Sequence, residues 1–374
     1  MKYYILVGEA SGDLHASNMM KAILKEDPQA DFRFWGGDLM TSVGGTLVSH
    51  YKERAFMGFI EVITNLRKIF GFIKFCKKDV AEYQPDVIVL VDNSGFNLRI
   101  AEWAKQEGFK TAYYISPQVW ASRAGRVKAI KRDVDKMFVI LPFEKEFYSK
   151  YHYEVEFVGH PLIDAIAGRK PVDQKQFRAT HGLDNKEIIA LLPGSRKQEI
   201  SKMLSVMLSV VDDFSEYQFV IAGAPSQDKS FYEQFITNEN VAFVDNKTYD
   251  VLCVSKAALV TSGTATLESA LFKVPQVVCY KGSWLSYQIA KRIITLRFIS
   301  LVNLIMDREV VKELIQGDFN TKSVKKELQK ILDEDNRKQM FSDYFDLEQK
   351  LGGEGASENV AKGLQNFKLQ NRKI

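Results

Sequence analysis

The sequence predicts an α/β fold of two doubly wound, Rossmann-like domains in tandem, facing each other across a cleft. Three observations carry this. Short, near-continuous apolar runs alternate with segments of 3.6-residue period. That pattern breaks at a polar stretch near 160–185 and then restarts. The 374 residues exceed one ordinary core and suit two domains of roughly 150–200 residues each. Apolar strands separated by helices indicate a parallel sheet covered on both faces.

In the first half the strands read as "YYILV" (3–7), "FRFWG" (32–36), "DVIVLVD" (86–92), "TAYYIS" (111–116), "KMFVI" (136–140) and "VEFVG" (155–159). Between them, "HASNMMKAILKE" and "LRIAEWAKQEG" have helical periodicity. After the linker come "IIALLPG" (188–194), "YQFVIAG" (217–223), "VAFVD" (241–245), "AALVTSG" (257–263) and "PQVVCY" (275–280). The expected division is 1–165, 166–345, and a terminal helical segment 346–374 that packs on the first domain or on a partner subunit. In open parallel sheets ligands lie at the carboxyl ends of strands.

Composition sets bounds. The net charge of +4 is mild and does not argue for nucleic acid. Three cysteines, Cys76, Cys253 and Cys279, lie far apart, with no Cys-x-x-Cys and no Cys/His cluster, so neither a disulfide framework nor a zinc site is expected. No apolar run approaches the ~20 residues that span a bilayer. The chain is expected in the cytoplasm, or on a membrane without crossing it.

The clearest anion site is "LLPGSRKQEI" (191–200), where a strand end and a Pro-Gly turn lead into a helix. Backbone N–H groups near Gly194, the Ser195 hydroxyl and the Arg196 guanidinium converge there, as a diphosphate requires. The competing reading makes Ser195 a helix cap and Arg196 a surface charge. A second strand–turn–helix loop, "VTSGTATLESA" (260–270), offers Ser262, Gly263, Thr264, Ala265 and Thr266 to a phosphate. Glu268 would take the hydroxyls of a ribose. Thr264 misses the capping-box spacing to Glu268 by one residue.

"LVDNSGFNLRI" (90–100) sets Asp92 at a strand end, suited to act as general base toward an incoming hydroxyl. Asn97 is a substrate contact or the cap of the next helix. In "ISPQVWASR" (115–123), Gln118 and Trp120 suit a sugar's hydroxyls and apolar face. "GEASGDLH" (8–15) raises a puzzle, because a glycine turn before a helix usually cradles phosphate, yet this one carries Glu9 and Asp13. With the anion site assigned elsewhere, Glu9, Ser11, Gly12 and Asp13 are expected against sugar hydroxyls, with helix capping the rival role for Asp13. Asp133 and Asp135 have metal-motif spacing but read as a solvated face, and His160 reads as structural. No metal or other cofactor is expected.

Residues 56–78 form an aromatic, basic, amphipathic segment, with Phe56, Phe59, Ile60, Ile63, Leu66, Phe70 and Ile73 along one stripe. It reads as membrane-surface contact, with a core helix as the rival.

"GEASGD", "MGFIEV", "ISPQVWAS", "LPFEKEFY", "FVGHPL", "LPGSR", "SGTATLE" and "SLVNL" occur in this order and at spacings that resemble the lipid-A-disaccharide synthase family, from about residue 3 to 345. The resemblance implies the glycosyltransferase B fold and metal-independent, inverting transfer of 2,3-diacylglucosamine from its UDP conjugate to the 6-hydroxyl of 2,3-diacylglucosamine 1-phosphate. UDP would be the leaving group, and the location the inner face of the bacterial inner membrane. A homodimer is compatible with it. The family's catalytic Asp falls on Asp92, its essential Arg on Arg196 and an Asn on Asn303. Val302 stands where a Pro is common, and Gly95 where some members carry an acid. Two rivals differ in class: a UDP-N-acetylglucosamine 2-epimerase-like enzyme, and a non-catalytic, membrane-bound UDP-sugar-binding protein.

Overall fold

Strand Lys2–Leu6 (β1) shows why the sheets form: after Lys2, every residue is buried. Tyr3 and Ile5 enter one core while Tyr4 and Leu6 enter the other. Period-2 alternation therefore delivers apolar groups to both faces. Each aliphatic side chain so buried contributes about 2 kcal/mol.

The structure is a computed structural model and describes residues 1–54, 66–122, 124–282 and 297–370. The chain divides into two units, Met1–Gly168 with Leu351–Ile374, and Arg169–Lys350.

In the first unit, β1 is followed by Asp31–Gly36 (β2), Thr46–His50 (β3), Val87–Val91 (β4), Thr111–Tyr114 (β5), Lys136–Val139 (β6) and Glu156–Phe157 (β7). They form one parallel sheet in the order β3-β2-β1-β4-β5-β6-β7. β3 was not expected; it is an edge strand whose Thr46 and Leu47 are exposed. Helix Ala356–Gln370 sends Val360, Ala361 and Leu364 into the core shared with Met19 and Met20 of helix Ala10–Glu26. Asp164 accepts from the N–H groups of Gly355 (2.7 Å) and Ser357 (2.9 Å), capping that terminal helix.

The second unit holds Glu187–Leu192 (β8), Tyr217–Gly223 (β9), Val241–Asp245 (β10), Ser255–Thr261 (β11), Gln276–Tyr280 (β12) and Lys312–Ile315 (β13). Their order, β10-β9-β8-β11-β12-β13, is again wholly parallel. β13, "KELI", is a charged edge strand that lacks the apolar run of an interior one. In each sheet the strand order reverses beside its central pair, β1/β4 in the first and β8/β11 in the second. Such switch points open the crevice in which α/β sheets bind ligands.

Phe56, Phe59, Ile60 and Ile63 lie outside the described residues, and so does the side chain of Leu66. Helix Leu66–Tyr83 corrects the membrane-facing expectation at Ile73. Ile73 is buried and packs with Cys76, Val80 and Trp35 in the core, so it does not face outward. Phe70 (57%) and Phe75 (48%) are exposed, among exposed Arg67, Lys68, Lys74 and Lys78. Among the described residues, no helix is long and apolar enough to cross a membrane. Asp133 and Asp135 are not a solvated face either: Asp133 is buried, and Asp135 accepts from the Thr111 N–H (3.0 Å) at the amino end of β5.

Candidate active site

At the first unit's switch point, β4 ends in a strained turn. Asp92 (φ 47°) and Asn93 (φ 43°) are both left-handed, a conformation that costs non-glycine residues free energy and persists only when surrounding bonds enforce it. The bonds come from two sources. Asn97 donates through Nδ2 to the carbonyls of Val91 (3.1 Å) and Asp92 (2.8 Å), and the Tyr113 hydroxyl donates to the Asp92 carbonyl. Asn97 is fully buried three residues inside helix Ser94–Gln106. Its side chain does not cap that helix; through Nδ2 it clamps the Asp92 turn. Tyr113 was missed because an aromatic inside an apolar strand reads as core.

The Asp92 side chain is open to solvent, yet protein crowds it on its other sides. Desolvation raises its pKa, the negative charge of Glu9 adds to the rise, and the Asn93 N–H opposes it. A carboxylate of raised basicity at a strand end is suited to take a proton from a hydroxyl. Histidine is not an equivalent base here. Burial holds His15 down at about 4 and His160 at about 3, so both are neutral at pH 7. The His160 ring accepts from the Leu162 N–H and caps helix Pro161–Ala167.

The β1 loop lies against the same turn: a Cβ on Gly8 would come within 2.3 Å of Asn93 Nδ2. Glu9 and Ser11 are exposed there, and Gly12 is buried against Val7. Asp13 departs from the sugar-binding expectation. It is 2% exposed, and its carboxylate accepts from the N–H groups of Gly37 (2.8 Å), Leu39 (3.1 Å) and Met40 (3.2 Å). It caps helix Asp38–Val43, not its own helix as the rival reading had it. After β5, Gln118 is exposed and Trp120 half-buried, its ring edge-on to Phe143 at 4.9 Å.

At the second unit's switch point, β8 runs into Pro193-Gly194-Ser195-Arg196 and then helix Lys197–Met207. Gly194 has φ 100°, open to glycine and strained for other residues. Ser195 and Arg196 are exposed, and neither caps the helix with its side chain. The Ser195 N–H donates to Glu199 Oε2 (3.2 Å), so an acid one turn on overlies the loop. The Ser195 carbonyl accepts from Ser226 (3.0 Å) and Gln227 (3.1 Å) on the loop after β9. Glu199, Ser226 and Gln227 had no motif signal beyond their position at strand or helix ends.

β11 supplies the second loop. Gly263 and Thr264 are exposed and Ala265 is half-buried. Thr266 is fully buried and donates to the Gly263 carbonyl (2.8 Å), while Ser262 donates to the Ile299 carbonyl (3.0 Å). Their hydroxyls hold the loop's shape, leaving Gly263 and Thr264 as its open surface. Glu268 takes part in no capping box. It accepts from the Tyr249 hydroxyl (2.8 Å), and burial raises its pKa against that bond. Asn303 is also corrected. It is fully buried, accepts from Val310 (2.8 Å) and Val311 N–H (3.0 Å), and donates to the Val311 carbonyl and to Glu313. Every polar atom it has is spent within the unit. Among the described residues no group of three or more His, Cys, Asp or Glu could hold a metal.

Two parallel Rossmann-like units, each with a switch point beside its central strand pair, define the class: this is a glycosyltransferase B fold. Solved structures agree. A UDP-GlcNAc 2-epimerase from Neisseria meningitidis bound to UDP-GlcNAc aligns with TM-score 0.72 at 13% identity, covering 98% of this chain and 100% of that one. The glycotransferase of kitacinnamycin aligns with TM-score 0.65 at 12% identity, covering 98% of both. At such identity the likeness shows the fold alone. Sequence goes further. The family model described as lipid-A-disaccharide synthetase matches residues 3–364. Lipid-A-disaccharide synthases of Syntrophus aciditrophicus (38% identical, 96% of this chain and 95% of the relative) and Idiomarina loihiensis (36%, 98% of each) are similar throughout. The chain belongs to the lipid-A-disaccharide synthase family, which is a family of glycosyltransferases.

Proposed function

We propose that the chain carries out one displacement. A 2,3-diacylglucosamine unit passes from UDP to the 6-hydroxyl of 2,3-diacylglucosamine 1-phosphate, with inversion at the anomeric carbon. Asp92 accepts the hydroxyl proton as the new C–O bond forms. UDP departs with the electron pair of the bond that breaks. Arg196 and the N–H groups at the start of helix Lys197–Met207 stabilise the charge growing on the diphosphate, a preorganised electrostatic role that calls for no metal. Glu9, Ser11 and Gln118 supply polar contacts for the sugars, and Gly263, Thr264 and Glu268 contact the nucleotide.

The observation that carries the reading is a raised-pKa carboxylate after β4 and an exposed guanidinium after β8, each at its own unit's switch point. Both substrates being lipids, we propose that the chain works on the cytoplasmic face of the inner membrane, with Phe70, Phe75 and the basic residues of helix Leu66–Tyr83 at the lipid surface.

The test incubates the protein with both acylated sugars, omitting each in turn. Disaccharide and UDP should appear only with both present. Conversion of soluble UDP-N-acetylglucosamine without an acceptor would instead establish the epimerase reading. In sedimentation with anionic vesicles, Phe70→Ser should leave more protein in the supernatant at unchanged Tm. An unchanged partition removes the helix from the membrane contact.

A further inference from the structure

Glu144 opens helix Glu144–Ser149 and is 1% exposed. A buried carboxylate is costly unless it is well bonded. Among the described residues no cation pairs with it. Its partners are instead the two strand-end segments on either side. One oxygen accepts from the Ser116 hydroxyl, in the loop after β5. The other accepts from the N–H groups of Ile140 (3.2 Å) and Leu141 (2.9 Å), in the turn after β6. Trp120 completes the contact from the β5 side, through its ring against Phe143. Its indole lies near enough to Glu144 to oppose the pKa rise, although Nε1 makes no well-aligned hydrogen bond.

We infer that Glu144 is a positioning residue, whose carboxylate ties the Ser116–Trp120 loop to the β6 turn and so sets the sugar-facing surface that Gln118 and Trp120 present. The sugar in that statement rests on the proposed function; the tie itself does not. Neither side chain can hold that loop alone, since Gln118 is exposed and Trp120 only half-buried.

The tie is also sensitive to protonation, which gives it a signature that a mere packing role lacks. Burial pushes Glu144 up to about 7, with Ser116 and the Leu141 and Ile140 N–H groups pulling the other way. The groups facing it are Tyr148 from its own helix, which burial keeps neutral, uncharged Ser116 and Trp120 from the β5 side, and backbone amides from the β6 side. On protonation Glu144 gains a donor, and the Ser116 hydroxyl must turn from donor to acceptor if the proton sits on their shared oxygen.

The experiment follows Trp120 emission and steady-state kinetics across pH 5–9. Emission of the unmutated chain should change near neutral pH, and the change should vanish in Trp120→Phe and in Glu144→Gln, which mimics the protonated acid. With the diacylated sugars, Glu144→Gln should raise KM about tenfold, the equivalent of one net hydrogen bond, with kcat changed much less. Ser116→Ala removes a bond that favours the ionised form, so it should move the emission change to higher pH. It carries the test if Glu144→Gln does not fold. An emission change that persists in Glu144→Gln, or fails to move in Ser116→Ala, overturns the role. Emission needs no substrate, so its failure is distinct from a failure of the unmutated chain to form disaccharide, which would overturn the proposed function alone.

Discussion

The two units share a topology and arm it with opposite charge. Both sheets reverse strand order beside their central pair, and both carry candidate residues on the loops that leave that pair. In the first unit the candidate acids are carboxylates, and the fold consumes one of them, Asp13, with three backbone N–H groups, while the Asn97 amide serves the Asp92 turn. What remains open is Glu9 and a raised-pKa Asp92. In the second unit the open groups are a guanidinium and helix N-terminal amides. On the proposed function, proton acceptance and leaving-group stabilisation are thus separated by which residues each unit leaves unbonded.

If that division holds, breaking each half should fail differently. Asp92→Asn should lower kcat about a thousandfold, within the range for loss of a general base, while UDP affinity measured by calorimetry stays the same. In the unmutated chain, kcat should fall on the acid side, because the base must be ionised. Since burial and Glu9 raise the Asp92 pKa, that fall should begin above the ordinary carboxylate range. Normal turnover in Asp92→Asn removes the carboxylate from catalysis. Arg196→Ala should cost about a hundredfold in kcat and weaken UDP binding as well. Intact UDP affinity would show that the second half does not hold the diphosphate.

Asp13 tests the claim that some first-unit acids belong to the fold. Asp13→Ala strands three backbone donors, two of them at buried positions, and should destabilise the chain by about 3 kcal/mol in urea unfolding. KM should change little once folded protein is selected. Undiminished stability with a raised KM would return Asp13 to the substrate.

Interior strands of both sheets are legible in the sequence because burial on two faces leaves continuous apolar runs. Edge strands β3 and β13 are not, since "TLVSH" and "KELI" carry no continuous apolar run and "KELI" looks like helix or loop. The positions of Asp92 and Arg196 after strand ends are legible for the same reason as the interior strands: a strand's carboxyl end can be read directly. Asp13, Asn97 and Asn303 mislead because a polar residue at a strand or helix end looks alike whether its partner is a ligand or a backbone amide far along the chain. Gly37, which Asp13 holds, is 24 residues away. Ile73 misleads similarly, since an amphipathic helix with a broad apolar face does not disclose which part turns inward. Glu144 escapes notice because its partners come from two separate strand ends, one of them 28 residues away.

The smallest effect concerns the acid that overlies the Ser195 loop on the basic side of the comparison. Glu199 accepts the Ser195 N–H, and a Cβ on Gly194 would lie 2.2 Å from its carboxylate, so it stands where the loop would meet an anion. A diphosphate approaching that N–H must displace the carboxylate and overcome its charge. Glu199→Gln keeps the side chain's shape and removes the repulsion, so UDP should bind about threefold more tightly, with the gain shrinking as salt screens the charge. Calorimetry at low and high ionic strength reads both. Weaker binding would mean that Glu199 shapes the loop more than it repels the ligand, and the second half-site would then depend on an acid as the first does.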